Sequence, residues 1–369
     1  MKGVGDDQHE RRGEGSSCGG GVSAGSWGGG LALGQTHAPW PSNWNNWTDP
    51  ALWVTVGNPG NVGEWSGISY GGEGPNGICG AVAYTFKIGK FEVTAGQYTT
   101  FLNAVAKTDT YGLYSTQMDT AVASMACNIK RTGSSGNYTY SVASDWANRP
   151  VDNVSWGDAA RFVNWLTNGR PTGVQNLATT EDGSYYLNGA IDDAGLMAVT
   201  RKANARYVIP TEDERYKAAY HKNDGATGNY FDYPTGSNVA PSNDLKTPDP
   251  GNNADFYIAW SDFTINSPYY RTEAGEFENS ESPYGTFDQG GNVWEWNETI
   301  VDPEALYPTR GRRGGSFSAS INRLTASLRP SYYPSQQIYE MGFRIAEVPE
   351  PATLSLLALG GLLALRRRR

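Results

Sequence analysis

The chain has 369 residues, enough for one large domain or two ordinary ones, with a core that size does not limit. Apolar residues make up 38% and charged residues only 18%, with 46 glycines, 22 tyrosines and 12 tryptophans, which excludes a disordered or coiled-coil protein and points to a loop-rich, aromatic-cored globular one. The net charge of -9, from 38 acidic against 29 basic residues, leaves no basic face for phosphates and excludes nucleic acid as a partner.

Residues 1–50 are rich in Gly, Ser, Asn and Trp without a sustained apolar period, and read as a leader or linker. Arg11 and Arg12 supply the charged start of a secretory signal, and Thr36, His37 and Ala38 end in a small residue. The run between them is mostly glycine until Leu31, Ala32 and Leu33, so the reading is a degraded or wrongly started signal peptide, with a plain arm as the other possibility. The folded domain is placed at 51–347. Cys18, Cys79 and Cys127 show no CxxC and no zinc spacing; Cys79 and Cys127 either pair in an oxidising compartment or stand as two buried thiols. His9, His37 and His221 are too scattered for a His-rich centre, and HExxH, GxSxG, Walker A and GxGxxG-after-strand patterns are all missing.

Val82, Tyr84, Phe86 and Ile88 alternate with smaller or polar residues, predicting a half-buried strand. Glu92 follows and reads as a surface charge before a helix. Thr94 is placed as that helix's N-cap, with Tyr98, Phe101, Leu102 and Val105 on one face. Residues 107–149 look like a surface excursion, in which 138–142 follow Gly133 and Gly136 as the second arm of a hairpin would. Ser155 and Asp158 form a capping-box-like start to a second helix buried through Ala159, Phe162, Val163 and Leu166. Thr211 and Glu214 repeat the device for a short helix through Tyr220. Residues 224–279 are rich in Asn, Gly, Pro and Asp, and so much irregular chain needs a bound ion or many side-chain hydrogen bonds to hold it.

The most informative stretch is 282–296. Gly290 and Gly291 lack a Cβ, so the backbone there can take positive φ and approach a neighbour or an ion closely. In an extended segment Val293 and Glu295 fall on one side and Asn292, Trp294 and Trp296 on the other, so the indoles bury together. Asp288, the carbonyls of Gly291 and Val293, and the Glu295 carboxylate can converge as the hard oxygen ligands Ca²⁺ prefers; a turn before a Trp-rich core strand is the plainer reading.

GNVWEW at 291–296 resembles the signature of the formylglycine-generating, sulfatase-modifying factor family. The likeness continues in the family's order. IGKFEVTAGQYTTFLNAV at 88–105 is similar to its opening strand and first helix, and RPVDNVSW at 149–156 gives a second match. YVIPTEDER at 207–215 resembles RLPTEAEW, while RRGGSF at 312–317, LRP at 328–330 and GFRIA at 342–346 resemble the closing pieces RGGSW, AxR and GFRvA. The resemblance implies a single, irregular α+β domain of C-type-lectin-like kind with few short helices and strands. It also implies a structural calcium at Asp288, Gly291, Val293 and Glu295 and a metal contact at Glu92. The family's other calcium site would fall near Asp255 and the Phe256 carbonyl, where its remaining contacts do not align. Arg215 stands where a tryptophan is usual, which costs a core aromatic.

In the family's catalytic members, copper on two cysteine thiolates shortly after the GGS element turns a substrate cysteine into formylglycine. Here residues 317–324 read Phe-Ser-Ala-Ser-Ile-Asn-Arg-Leu and no cysteine follows Cys127. Soft Cu(I) has no comparable ligand among them, so neither copper nor formylglycine-generating activity is expected. The related iron-dependent sulfoxide synthases rely on histidines from an additional helical domain that this chain lacks. What remains suits binding. Asn322, Arg323, Arg329, Tyr332, Tyr333 and Tyr339 lie in the segment bordering the family's substrate cleft and are the candidate ligand-binding residues, core packing being the alternative for the tyrosines.

Pro349, Glu350 and Pro351 precede an apolar run at 354–365 and four terminal arginines. The run is short for a full span, which needs about 20 residues, and the arginines would stay cytoplasmic, leaving everything upstream outside. Residues 348–369 resemble the PEP-CTERM sorting signal of exopolysaccharide-producing Gram-negative bacteria, read by an exosortase-type membrane enzyme. The expectation is therefore an exported protein of the cell envelope or outer surface, transiently anchored in the inner membrane, acting as a binding or structural module for a glycan or another envelope protein. The alternative is a formylglycine-generating-type oxidoreductase acting on sulfatase cysteines or using a different metal site.

Overall fold

The structure, a computed structural model, describes residues 45–349 apart from 260–261, 305 and 307. In chain order its strands are β1 (Trp53–Val56), β2 (Glu64–Ser66), β3 (Gly77–Cys79), β4 (Phe86–Gly89), β5 (Lys130–Thr132), β6 (Thr139–Ser141), β7 (Tyr207–Val208), β8 (Trp294–Ile300), β9 (Arg310–Arg313), β10 (Ser331–Tyr332), β11 (Met341–Phe343) and β12 (Ala346–Glu347). The helices are α1 (Ala95–Val105), α2 (Trp156–Thr167), α3 (Asp193–Ala198) and α4 (Glu212–Tyr220). The mixed, loop-rich α+β arrangement expected from the sequence is the one observed.

Three of the four helices begin as their sequences require. Thr94 with Gln97, Ser155 with Asp158, and Thr211 with Glu214 each form a complete capping box, satisfying amide donors that have no partner inside the helix. α1 and α2 then pack through the predicted apolar faces, with Phe101 and Phe162 edge to face at 5.3 Å and Tyr98 stacked on Phe162. Trp294, Trp296 and Phe343 close the same core, which Trp47 already enters from the N-terminal side.

Two four-stranded sheets flank this core. One runs β1-β4-β12-β7, all antiparallel; the other runs β10-β9-β8-β11, with β8 and β11 parallel. The strand expected over 82–88 is shorter than its alternation suggests and starts only at Phe86. Val82 is instead tied to a loop: its amide donates to Asn61 Oδ1 and its carbonyl accepts from Gly60. The hairpin after Gly133 is present as β5–β6. Inside the first sheet β12 is an inner strand, and Val348 directly after it donates to the Arg206 carbonyl and packs in a second core with Ile88 and Val208.

The irregular stretch 224–279 is held by side chains. Asp249 alone accepts from the Gly251 and Asn279 amides, Asn253 Nδ2 and Ser280 Oγ, and Asn243 Nδ2 bridges the Phe256 and Asp262 carbonyls. Longer ties come from buried arginines. Arg161 makes a bidentate pair with Glu181, Arg271 pairs with Asp152 at 2.8 Å, and Arg313 pairs with Glu212 at 2.7 Å while donating to the Ala326 and Leu328 carbonyls. Removing one partner strands the other charge in the interior. Glu212→Gln is therefore expected to cost about 3–5 kcal/mol by denaturant titration. Glu347→Gln, whose partners Lys87 and Arg206 are half-exposed, should cost about 1 kcal/mol or less.

Candidate functional site

The turn before β8 adopts left-handed backbone at Asp288, Gly291 and Asn292. Asn and Asp tolerate that region, but a Cβ on Gly291 would lie 2.0 Å from the Asp255 carbonyl oxygen, so only glycine fits there. Gly290 does not need positive φ; its Cβ would meet Pro234 at 2.6 Å. β8 then buries both indoles as expected, with Trp296 Nε1 donating to the Val154 carbonyl at 2.8 Å.

Glu295 is also buried, and two guanidinium groups hold it. Arg344 donates to Oε1 at 3.0 Å and Arg215 to Oε2 at 3.3 Å. Burial pushes its carboxyl up, but Arg344 and then Arg215 outweigh that and hold it below the usual glutamate range. Arg215 is thus no simple loss of a core aromatic. It is fully buried, donates to the Gln289 carbonyl as well, and replaces packing with charge.

Beside this pair lies a second acidic group. Glu92 is 2% exposed, and neither carboxylate oxygen has a hydrogen-bond partner among the described residues; Arg344 Nη2 stands 3.7 Å away. Burial, then the charge of Asp288, push Glu92 well above its ordinary range. The reading of Glu92 as a surface charge is therefore corrected: Val93 on its C-terminal side is bonded to Phe343 and Val151, which draws the segment inside. Asp288 accepts from the Gly275 amide at 2.6 Å, and burial raises its carboxyl to about 7. Asp255, with one oxygen unpartnered, is likewise raised to about 7 by burial, while the Phe256 carbonyl already accepts from Asn243 and Thr264. Of the expected calcium ligands, Asp288 has the donor chemistry for a hard cation, with Glu92 as its neighbour. Gly291 and Val293 are buried in the turn and at its junction with β8, and Glu295 has given both oxygens to arginine.

A second polar cluster lies where the closing segment meets the start of β8. Ser316 and Ser318 both donate to Glu340 Oε2, at 3.1 and 2.7 Å. Arg312 approaches Glu340 at 3.6 Å, its guanidinium lying over the rings of Trp294 at 4.5 Å and Tyr332 at 4.8 Å. Within the stretch in which the family's thiolates would stand, Ser318 is thus bound to Glu340, while Ala319 and Leu324 are buried in apolar clusters.

The six candidate ligand residues divide. Arg323 is paired with Glu73, and Arg329 donates to Glu212 at 2.9 Å and to the Pro75 carbonyl, so both tie down the β2–β3 flap. Asn322 is exposed on one turn of 3-10 helix (Ile321–Leu324). Tyr332 is taken up by Arg312, whereas Tyr333 and Tyr339 keep about two-fifths of their surface in solvent. Arg312, Ser316 and Glu340 escaped the sequence reading, while Ser318 was read only as part of the 317–324 stretch that lacks thiolates. Arg312 and Ser316 lie inside the RRGGS block and Glu340 two residues before GFR, all read as pieces of the fold.

Cys79 and Cys127 are free thiols in separate buried clusters. Burial pushes the Cys79 thiol up to about 12 and raises Cys127 well above its ordinary value, so neither is a ready thiolate.

The loop-rich α+β domain with its tryptophan-lined strand is of the C-type-lectin-like, sulfatase-modifying class. The chain belongs to that family: the model of the Sulfatase-modifying factor enzyme 1-like domain matches residues 79–348. The PEP-CTERM protein-sorting motif matches 347–369. Among solved structures, the chain is similar to one described as the crystal structure of CarF, at 20% identity over 80% of this chain and 98% of that one, with a TM-score of 0.46. It is also similar to variable protein 1 of Treponema denticola (17% identity, 80% and 95% coverage, TM-score 0.45) and to PvdO from Pseudomonas aeruginosa (19%, 80% and 91%, 0.40). No curated protein matches the chain.

With Cys18 replaced by serine, a thiol reagent is expected to find no reactive group in the native protein and two after denaturation without reductant. Finding none after denaturation would mean a disulfide joins Cys79 to Cys127.

Proposed function

We propose that this exported, surface-sorted protein uses its sulfatase-modifying-factor domain as a non-catalytic binding or structural module of the cell envelope, with a glycan or another envelope protein as partner. One observation carries the reading: residues 317–324 offer hydroxyls, a guanidinium and apolar side chains where copper needs two thiolates. The remaining described thiols sit in different clusters, so they cannot stand in for that pair without rebuilding the core. The sorting motif at 347–369 supports processing by an exosortase-type enzyme and delivery to the envelope or outer surface, with transient anchoring in the inner membrane. Among the described residues no helix is long and apolar enough to cross a membrane, and the apolar run at 354–365 lies outside them.

A structural Ca²⁺ belongs to the same reading, held by Asp288 and Glu92 with the Gly291 and Val293 carbonyls, and by Glu295 only so far as Arg215 and Arg344 release it. The two unbonded oxygens of buried Glu92 support it, because such groups are rarely left without a partner. When bound, the ion would stabilise the charged form of Asp288 and Glu92, which burial otherwise disfavours.

Purified protein incubated with copper and a Cys-x-Pro-x-Arg peptide is expected to yield no aldehyde product by mass spectrometry, and turnover would overturn the non-catalytic reading. A calcium chelator should lower the melting temperature by several degrees, and Asp288→Ala should abolish the difference. A melting curve indifferent to chelator removes the calcium.

A further inference from the structure

A cavity of about 450 Å³ opens beside Tyr339, between the loop at 117–125 and the segment before β11. It falls within the size range of small-ligand sites, roughly 300–1,000 Å³. None of its lining side chains carries a charge, in a protein with 38 acidic and 29 basic residues. Its polar side-chain groups are carboxamides, from Gln117, Asn153 and Gln337, and the hydroxyls of Ser124 and Tyr339. Apolar walls come from Val122 and Met125 among others, and the Tyr339 ring, edge-on to Phe317 at 6.0 Å, is 42% exposed.

Two of the carboxamides are pre-oriented. Asn153 Nδ2 donates to Asp152 Oδ1 at 2.8 Å and to the Gln117 carbonyl at 3.1 Å, which uses both of its hydrogens. Gln337 Nε2 donates likewise to Asp158 Oδ2 at 2.7 Å and to the Gly112 carbonyl at 2.9 Å. Each amide thus has both hydrogens spent and its carbonyl oxygen left over, and Gln337, whose partners Asp158 and Gly112 line a neighbouring cavity, borders both. Asn153 itself is 1% exposed and held in left-handed backbone, its own amide donating to the Ile338 carbonyl at 3.0 Å.

We infer that this cavity binds a short neutral saccharide, an inference that rests on the binding reading above. An ionic ligand would be desolvated without an opposite charge to meet. Fixed acceptors call for donors, and a hydroxyl donates and accepts through one atom, so it meets them without stranding a group. The aromatic ring and aliphatic wall suit the C–H face of a sugar ring.

The test is a glycan array of neutral, uronic-acid and sialylated oligosaccharides probed with the full chain in mild detergent, followed by calorimetry on the best binder. The expected result is a neutral glycan whose affinity is the same at low and high salt and falls at least tenfold in Tyr339→Ala and in Val122→Arg. Both positions are exposed, so the variants keep the fold, and circular dichroism checks it. No bound glycan, a salt-sensitive preference for acidic glycans, or affinity untouched by both variants overturns the assignment. Capture of an envelope peptide at this cavity instead overturns the saccharide while sparing the binding module; aldehyde formation from the cysteine peptide is the result that sinks the module itself.

Discussion

Arg344 holds four segments of chain at once. Its guanidinium reaches Glu295 on β8, the carbonyl of Gly89 at the end of β4 and the carbonyl of Phe287 in the turn, while its backbone joins β11 to β12. Such a group, fully buried, tolerates no displacement of any partner without leaving a charge or a carbonyl unsatisfied. Much of the chain is irregular, so these fixed points do what long strands and helices do elsewhere. Arg161, Arg271, Arg310 and Arg313 repeat the arrangement at other places in the interior.

Much of this was legible where the information is local. Thr94, Ser155 and Thr211 announce their helices because a cap and its reciprocal partner lie three residues apart, and the indoles of β8 follow from a period of two. The extent of the strand near Val82 was not legible, since alternation persists in a segment whose hydrogen bonds go to Asn61. Nor was the interior position of Glu92 or the charge-bearing role of Arg215. Both depend on partners far along the chain, and sequence offers no measure of that distance.

The candidate site divides in the same way. Tyr339 keeps about two-fifths of its surface in solvent, but Arg323 and Arg329 had seemed equally available and are bound to the flap between β2 and β3. An arginine free for a ligand and one tying down a loop look identical in sequence. Arg312 and Glu340 were hidden for the opposite reason: they sit within or beside blocks whose role in the fold was already accounted for. The cavity next to Tyr339 depends on the amides of Asn153 and Gln337, and which hydrogens an amide has spent is visible only in three dimensions.

β12 is an inner strand of its sheet, and its last residue, Glu347, is the first of the matched sorting motif. Until residues 346–348 arrive, β4 and β7 face a gap, with Ile88 and Val208 uncovered on either side of it. The sheet therefore cannot be completed by a truncated chain, and a cut made upstream of Val348 would pull out its middle. Closure of the sheet and the start of the sorting motif thus fall on the same few residues.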